Sequence, residues 1–156
     1  MHDILNSMKL RTLSENNPIS IYFKIAFLAN HYRDPTNKLV EQKYKLTRPE
    51  FAILFCLYQK DKISAVDIVE LTQLPQNSLS RGATSLISKK LITKMPDPMD
   101  GRKNVLSITR KGNTTAKNFL SHLIDANQRL TSPLTNEEAK LFESLLDKIC
   151  DATPSP

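Results

Sequence analysis

Two short stretches hold side chains whose types and spacing suit chemistry. Residues 76–81 read Gln76, Asn77, Ser78, Leu79, Ser80, Arg81, so two carboxamides, two hydroxyls and a guanidinium are interrupted by one leucine. A carboxamide donates and accepts in one plane and can pair with an adenine edge, a guanidinium suits guanine or phosphate, and hydroxyls suit either. Residues 97–103 read Asp97, Pro98, Met99, Asp100, Gly101, Arg102, Lys103, an acidic turn that runs into paired cations. Each stretch has a plainer explanation. Asn and Ser favour helix starts for local reasons, so residues 76–80 alone equally describe a soluble helix start. The acidic and basic turn equally describes a solvated loop whose ion pair is worth at most about 1 kcal/mol.

The charge distribution bears on that choice. Between Gln76 and Lys117 nine lysines and arginines face two acids, whereas the rest of the chain holds thirteen basic and fourteen acidic residues. The excess positive charge of this 156-residue chain, +6 in all, therefore sits in one segment. A single-signed patch attracts a polyanion and steers its approach; a solvated basic face is the alternative. Enzyme chemistry is not expected. With three glycines in the chain there is no glycine-rich phosphate loop, and no nucleophile is arranged beside a base. Cys56 and Cys150 lack metal-ligand spacing, as do His2, His31 and His122, so neither metal nor cofactor is expected. Cys56 sits in the most apolar stretch and reads as an inert space-filler. The longest apolar run, Phe51 to Tyr58, is too short for a membrane span, and the polar N-terminus lacks a signal-peptide core, so a cytoplasmic location is expected.

The elements that would position these stretches follow from periodicity and caps. Ile21, Ile25, Leu28, Ala29 and Tyr32 predict a first helix from Pro18, interrupted or kinked at Asp34-Pro35 and continuing to about Lys43. Thr47-Arg48-Pro49-Glu50 is a capping box ahead of a buried second helix. Ser64 to Asp67 opens a brief third helix that closes at Thr72, and a turn at Gln73-Leu74-Pro75 leads into a fourth from Gln76. Leu79, Ala83, Leu86 and Ile87 form its apolar stripe, with Gln76, Asn77, Ser80, Arg81, Thr84 and Ser85 opposite. Ile92 to Met95 and Val105 to Ile108 predict two strands joined by the turn-rich 96–103. A helix carrying Phe119, Leu120, Leu123, Ile124 and Leu130 follows. A capping box at Thr135 to Glu138 then opens a last helix with Leu141, Leu145 and Ile149. Two helices about a short turn, then a hairpin, make a winged helix-turn-helix. The fold class is mainly α with a small β-hairpin wing.

These residues resemble the MarR (multiple antibiotic resistance regulator) family of bacterial winged-helix transcription factors, roughly from Tyr44 to Ile149. Asp97-Pro98-Met99-Asp100-Gly101-Arg102 is similar to the family's wing signature, and Leu106-Ser107-Ile108-Thr109-Arg110-Lys111-Gly112 to the segment after it. Asn77-Ser78-Leu79-Ser80-Arg81 looks like the core of its recognition helix. There are departures: Gly82 replaces a larger apolar residue, Ser85 a common arginine, and Lys45 and Lys90 stand where glycine is frequent. The resemblance implies a homodimer that regulates genes, often in response to a small ligand.

The expected contacts follow. Gln76, Asn77, Ser78, Ser80, Arg81 and Thr84 would face double-stranded DNA in the major groove, with Lys94, Lys103 and Lys111 on phosphates. Arg102 would enter a narrow A·T-rich minor groove, with Asp97 and Asp100 structuring the wing. The first and last helices carry more apolar surface than a winged helix can cover, which favours an intertwined homodimer over antiparallel packing within one chain. The expected organisation is 1–46 and 112–150 as dimerisation helices, 47–111 as the DNA-binding lobe, and 151–156 as a frayed tail. Tyr22, Phe27, His31, Tyr32 and Arg33 would line a pocket for a small aromatic or anionic ligand, although an aromatic stripe at helical spacing is also ordinary core. A winged helix that binds protein rather than DNA is the alternative function.

Overall fold

The structure, a computed structural model, describes residues 17–97 and 104–154. The chain divides into two compact units between Lys38 and Leu39. The first holds helix α1 (Ser20–Leu28), a π-helical turn at Ala29–Arg33, and the start of α2 (Asp34–Tyr44). A break at Asp34-Pro35 is therefore not what occurs. The backbone stays helical there, and the irregularity falls one turn earlier. Proline clashes with the carbonyl four residues back, that of His31, and the wider π turn contains that residue. The Thr36 hydroxyl donates to the Tyr32 carbonyl at 2.8 Å. No residue of α1 is buried: Ile21 is 71% and Tyr22 70% exposed.

The second unit is built around α3 (Arg48–Gln59). Its Ile53, Leu54 and Leu57 recur at helical spacing and are at most 1% exposed. The helix starts where the capping box predicts. The Thr47 N–H and hydroxyl both donate to Glu50 Oε2, at 2.7 and 3.0 Å. Strand β1 (Lys62–Ser64) follows, then α4 (Ala65–Thr72), capped by the Ser64 hydroxyl, which accepts from the Asp67 N–H at 3.0 Å. Helix α5 (Gln76–Ser88) buries Leu79, Gly82 and Leu86. Strands β2 (Ile92–Pro96) and β3 (Asn104–Ile108) form the hairpin, and β1 adds to β3 to give an antiparallel sheet of order β1-β3-β2. Leu106 is opposite Ile63 on one side and Lys94 on the other.

Helix α6 (Arg110–Thr131) brings Phe119 into the core, edge-on to Phe51 with centroids 5.0 Å apart. The Tyr44 hydroxyl donates to the Asn118 carbonyl at 2.8 Å and fastens the end of α2 to α6. Helix α7 (Asn136–Asp151) starts at its predicted box, where the Thr135 N–H donates to Glu138 Oε2 at 2.8 Å. Nothing on α7 is buried, and Leu141, Leu145 and Ile149 are 60%, 48% and 55% exposed. No described helix is long and apolar enough to cross a membrane.

The junction of the hairpin with α6 is packed backbone against backbone. Thr109 donates to the Leu91 carbonyl from both its N–H and its hydroxyl, each at 3.0 Å, and Gly112 lies against that same carbonyl. A Cβ on Gly112 would fall on the Leu91 oxygen. Gly112→Ala is therefore expected to destabilise the fold by about 2–3 kcal/mol, because neither backbone can retreat without breaking the Thr109 contacts. The urea unfolding midpoint checks this.

Candidate nucleic-acid interface

The outer face of α5 is polar because its inner face is committed. Leu79, Gly82 and Leu86 turn inward, leaving Gln76, Asn77, Ser80, Arg81 and Thr84 exposed and Ser78 half-buried. Arg81 is in no ion pair among the described residues. The Thr84 hydroxyl donates to the Ser80 carbonyl at 3.0 Å and keeps its lone pairs free to accept. Ser80, Arg81, Thr84, Ser85 and Ser88 border an open groove along this face.

Lys94 is exposed on β2, and Asp97, just past the strand's end, is half-buried. Asp100, Arg102 and Lys103 lie in the connection between β2 and β3, outside the described residues. Lys111 donates to the Lys89 carbonyl at 3.0 Å, so one of its three N–H groups is used at the end of α5.

Sequence reasoning missed what holds α5. Glu50, expected only as a capping residue, is 1% exposed, and its Oε1 accepts from Lys89 Nζ at 2.6 Å. The same ammonium donates to the Lys45 carbonyl at 2.8 Å. The pair joins residues 39 positions apart, a separation that leaves no local pattern. Gly82 explains itself here. A Cβ on it would stand 3.2 Å from the Pro49 Cβ and 3.3 Å from the Glu50 nitrogen, so the missing side chain lets α5 cross close over the start of α3. An open cleft of about 400 Å³, floored by Gly82 and flanked by Thr47, Arg81 and Ser85, lies along this crossing.

Burial pushes the Glu50 carboxyl up, but hydrogen bonds from Lys89, Ser85 and Thr47 outweigh it and hold the group below its ordinary value. Burial raises the Cys56 thiol despite a backbone hydrogen bond, which disfavours the reactive thiolate.

The five residues expected to line a ligand pocket all fall on the first unit's helical run. Phe27, His31 and Tyr32 come together: His31 stacks on Phe27 at 5.9 Å and meets Tyr32 edge-on at 4.8 Å. Tyr22 stands apart against Phe23, and Arg33 Nε pairs with the neighbouring Asp34 at 3.0 Å. Among the described residues no group of three or more His, Cys, Asp or Glu side chains is placed to hold a metal.

Two helices about a short turn, a hairpin directly after the second and a third strand closing the sheet define a winged helix-turn-helix. Residues 46–103 match the MarR family. Two relatives from Bacillus subtilis (strain 168), both named uncharacterized HTH-type transcriptional regulators, are 26% identical to it. YwaE aligns over 152 residues, 96% of this chain and 89% of its own length; YxaD aligns over 104, 67% and 73%. A MarR-family regulator from Silicibacter pomeroyi superimposes with a TM-score of 0.80 at 17% identity, over 87% of this chain and 91% of its own. S. aureus MepR, solved in complex with DNA, gives 0.73 at 23% over 87% and 98%. Bordetella bronchiseptica BpsR, whose DNA binding is regulated by 6-hydroxynicotinic acid, gives 0.64 at 23% over 81% and 98%.

The Glu50 contacts fix a pH dependence. Folding lowers this carboxyl's pKa, so its stabilisation is complete above the unfolded value and is lost as pH falls through the folded one. Stability of the wild type is expected to fall more steeply below about pH 4.3, an unperturbed glutamate's value, than that of Glu50→Gln. Parallel slopes in thermal melts between pH 3 and 6 would contradict the assignment.

Proposed function

We propose that the chain is a dimeric, sequence-specific regulator of transcription that binds a pseudo-palindromic site in duplex DNA. The observation that carries this reading is the face of α5: Gln76, Asn77, Ser80 and Arg81 are exposed beside a hairpin, inside the segment that holds the chain's excess positive charge. Such side chains reach base edges, and the surrounding cations supply the phosphate term. In this reading Lys94 and Lys103 meet phosphate and Arg102 enters the minor groove from the wing. Asp97 and Asp100 shape the turn that carries it.

A second copy supplies what the exposed apolar faces lack. α1 and α7 bury nothing within one chain, and helices this apolar are stable in water when another surface covers them. Residues 1–46 and 112–150 are assigned to that contact and 47–111 to DNA. Twofold symmetry then sets two reading helices about 34–36 Å apart, one turn of the duplex. The sign of regulation that fits is repression, relieved by a small aromatic or phenolic anion near Tyr22, Phe27, His31, Tyr32 and Arg33. The Phe27, His31 and Tyr32 rings offer it stacking surface. A ligand acts only by binding the two lobe spacings unequally.

The test is binding to a pool of random duplexes at rising salt. Each phosphate contact is expected to contribute about 0.9 to the logarithmic salt slope, and the bound fraction should be enriched in an inverted repeat. Salt-insensitive binding, or none, would instead mark a winged helix that docks on protein. Within the enriched site, Arg81→Ala is expected to relax preference at inner positions by about 1–3 kcal/mol, and Arg102→Ala to relax A·T preference at the edges. Unchanged selectivity in both variants would refute the contact assignment.

A further inference from the structure

We propose that Glu50 and Lys89 are positioning residues that set the depth and rotation at which α5 meets base edges. The inference rests on the reading of α5 as the DNA-reading helix and adds how its register on the groove is fixed. Two anchors hold α5 to the start of α3. One is the close approach at Gly82, within 3.3 Å of the Glu50 nitrogen for any added Cβ. The other is the Lys89 ammonium, 2.6 Å from Glu50 Oε1 and 2.8 Å from the Lys45 carbonyl.

Gly82 and Lys89 are seven residues apart, close to two full turns, so both anchors lie on one side of α5, roughly 10 Å apart along its axis. The buried Leu79 and Leu86 limit large motions of α5, and two anchors on one line oppose the remaining small rolls and tilts more than one anchor would. Arg81 neighbours the first anchor and points about 100° away from it, so a roll of about 10° would swing a guanidinium tip roughly 9 Å from the axis by about 1.5 Å. That displacement breaks a hydrogen bond to a base edge. A phosphate contact is more forgiving, because its attraction falls off slowly with distance. The Lys89 charge, counted in the excess of the basic segment, is spent inward, with two donors engaged.

The experiment compares wild type with Lys89→Arg, Lys89→Met and Glu50→Gln/Lys89→Met, the double variant avoiding a buried carboxylate without its partner. Two quantities are measured: the salt slope of binding, and the ratio of affinities for the wild-type-selected duplex and a scrambled one. The double variant is expected to keep the wild-type slope and lose about tenfold or more in the ratio, the discrimination of one base contact. Lys89→Arg is expected to retain the ratio. A slope reduced by about 0.9 in Lys89→Met with the ratio intact would make Lys89 a phosphate contact and overturn the proposal. An unchanged ratio in the folded double variant, or a double variant that does not fold, would overturn it in favour of a role in stability alone. If wild type itself prefers no duplex, the reading of α5 falls first and this inference with it.

Discussion

A carboxylate almost removed from water must be compensated by donors, and the donors that Glu50 finds connect elements that sequence keeps far apart. Thr47 donates twice from the turn before α3, and Lys89 donates from the far end of α5. Removing charges from water is expensive, so the pair is favourable only when its geometry is held. Gly82 supplies that condition by letting the two helices approach until Lys89 can reach. The polar face of α5 is presented outward because the opposite face is pinned here.

The molecule thus has two kinds of exposed surface with different physical meanings. On α5 the exposed side chains are hydrogen-bonding groups, at home in water and suited to a polar partner. On α1 and α7 they are large and apolar, and water is a poor partner for them. The first surface can exchange water for a polar partner, and the second is stable only when something apolar covers it.

Most of the fold was legible in the sequence, because helix starts here are written in caps. Thr47, Ser64 and Thr135 each announce a helix that begins at the next residue. β1 was not legible, since Lys62–Ser64 is too short for alternation and exists only by pairing with β3. The proline at 35 signalled an interruption of the regular helix, and the irregularity falls upstream of it, in the π turn at Ala29–Arg33. Of the candidate site, the outward residues of α5 follow from the stripe of Leu79 and Leu86. The anchor beneath them, joining Glu50 to Lys89, has no periodicity that could reveal it. Gly82 is visible in the sequence as a departure, but its cause lies in the neighbouring Pro49 and Glu50, which no local pattern reveals.

Lys45 and Lys90 carry a further consequence. Both adopt left-handed backbone, φ 55° and 60°, a conformation that costs an ordinary residue about 1–2 kcal/mol and that no described glycine of this chain takes up. The carbonyls at these bends are held instead: Lys89 captures that of Lys45, and the Thr109 hydroxyl captures that of Lys90 at 2.9 Å. Each bend is therefore held in part by a side chain from elsewhere in the chain, and at Lys90 also by the local bonds from the Lys90 and Leu91 N–H groups to the Ile87 and Leu86 carbonyls, both at 2.9 Å. Loss of the side chain at 89 or 109 would therefore release a carbonyl at the bend at 45 or 90, and glycine at those two corners would lower the strain that the bonds offset.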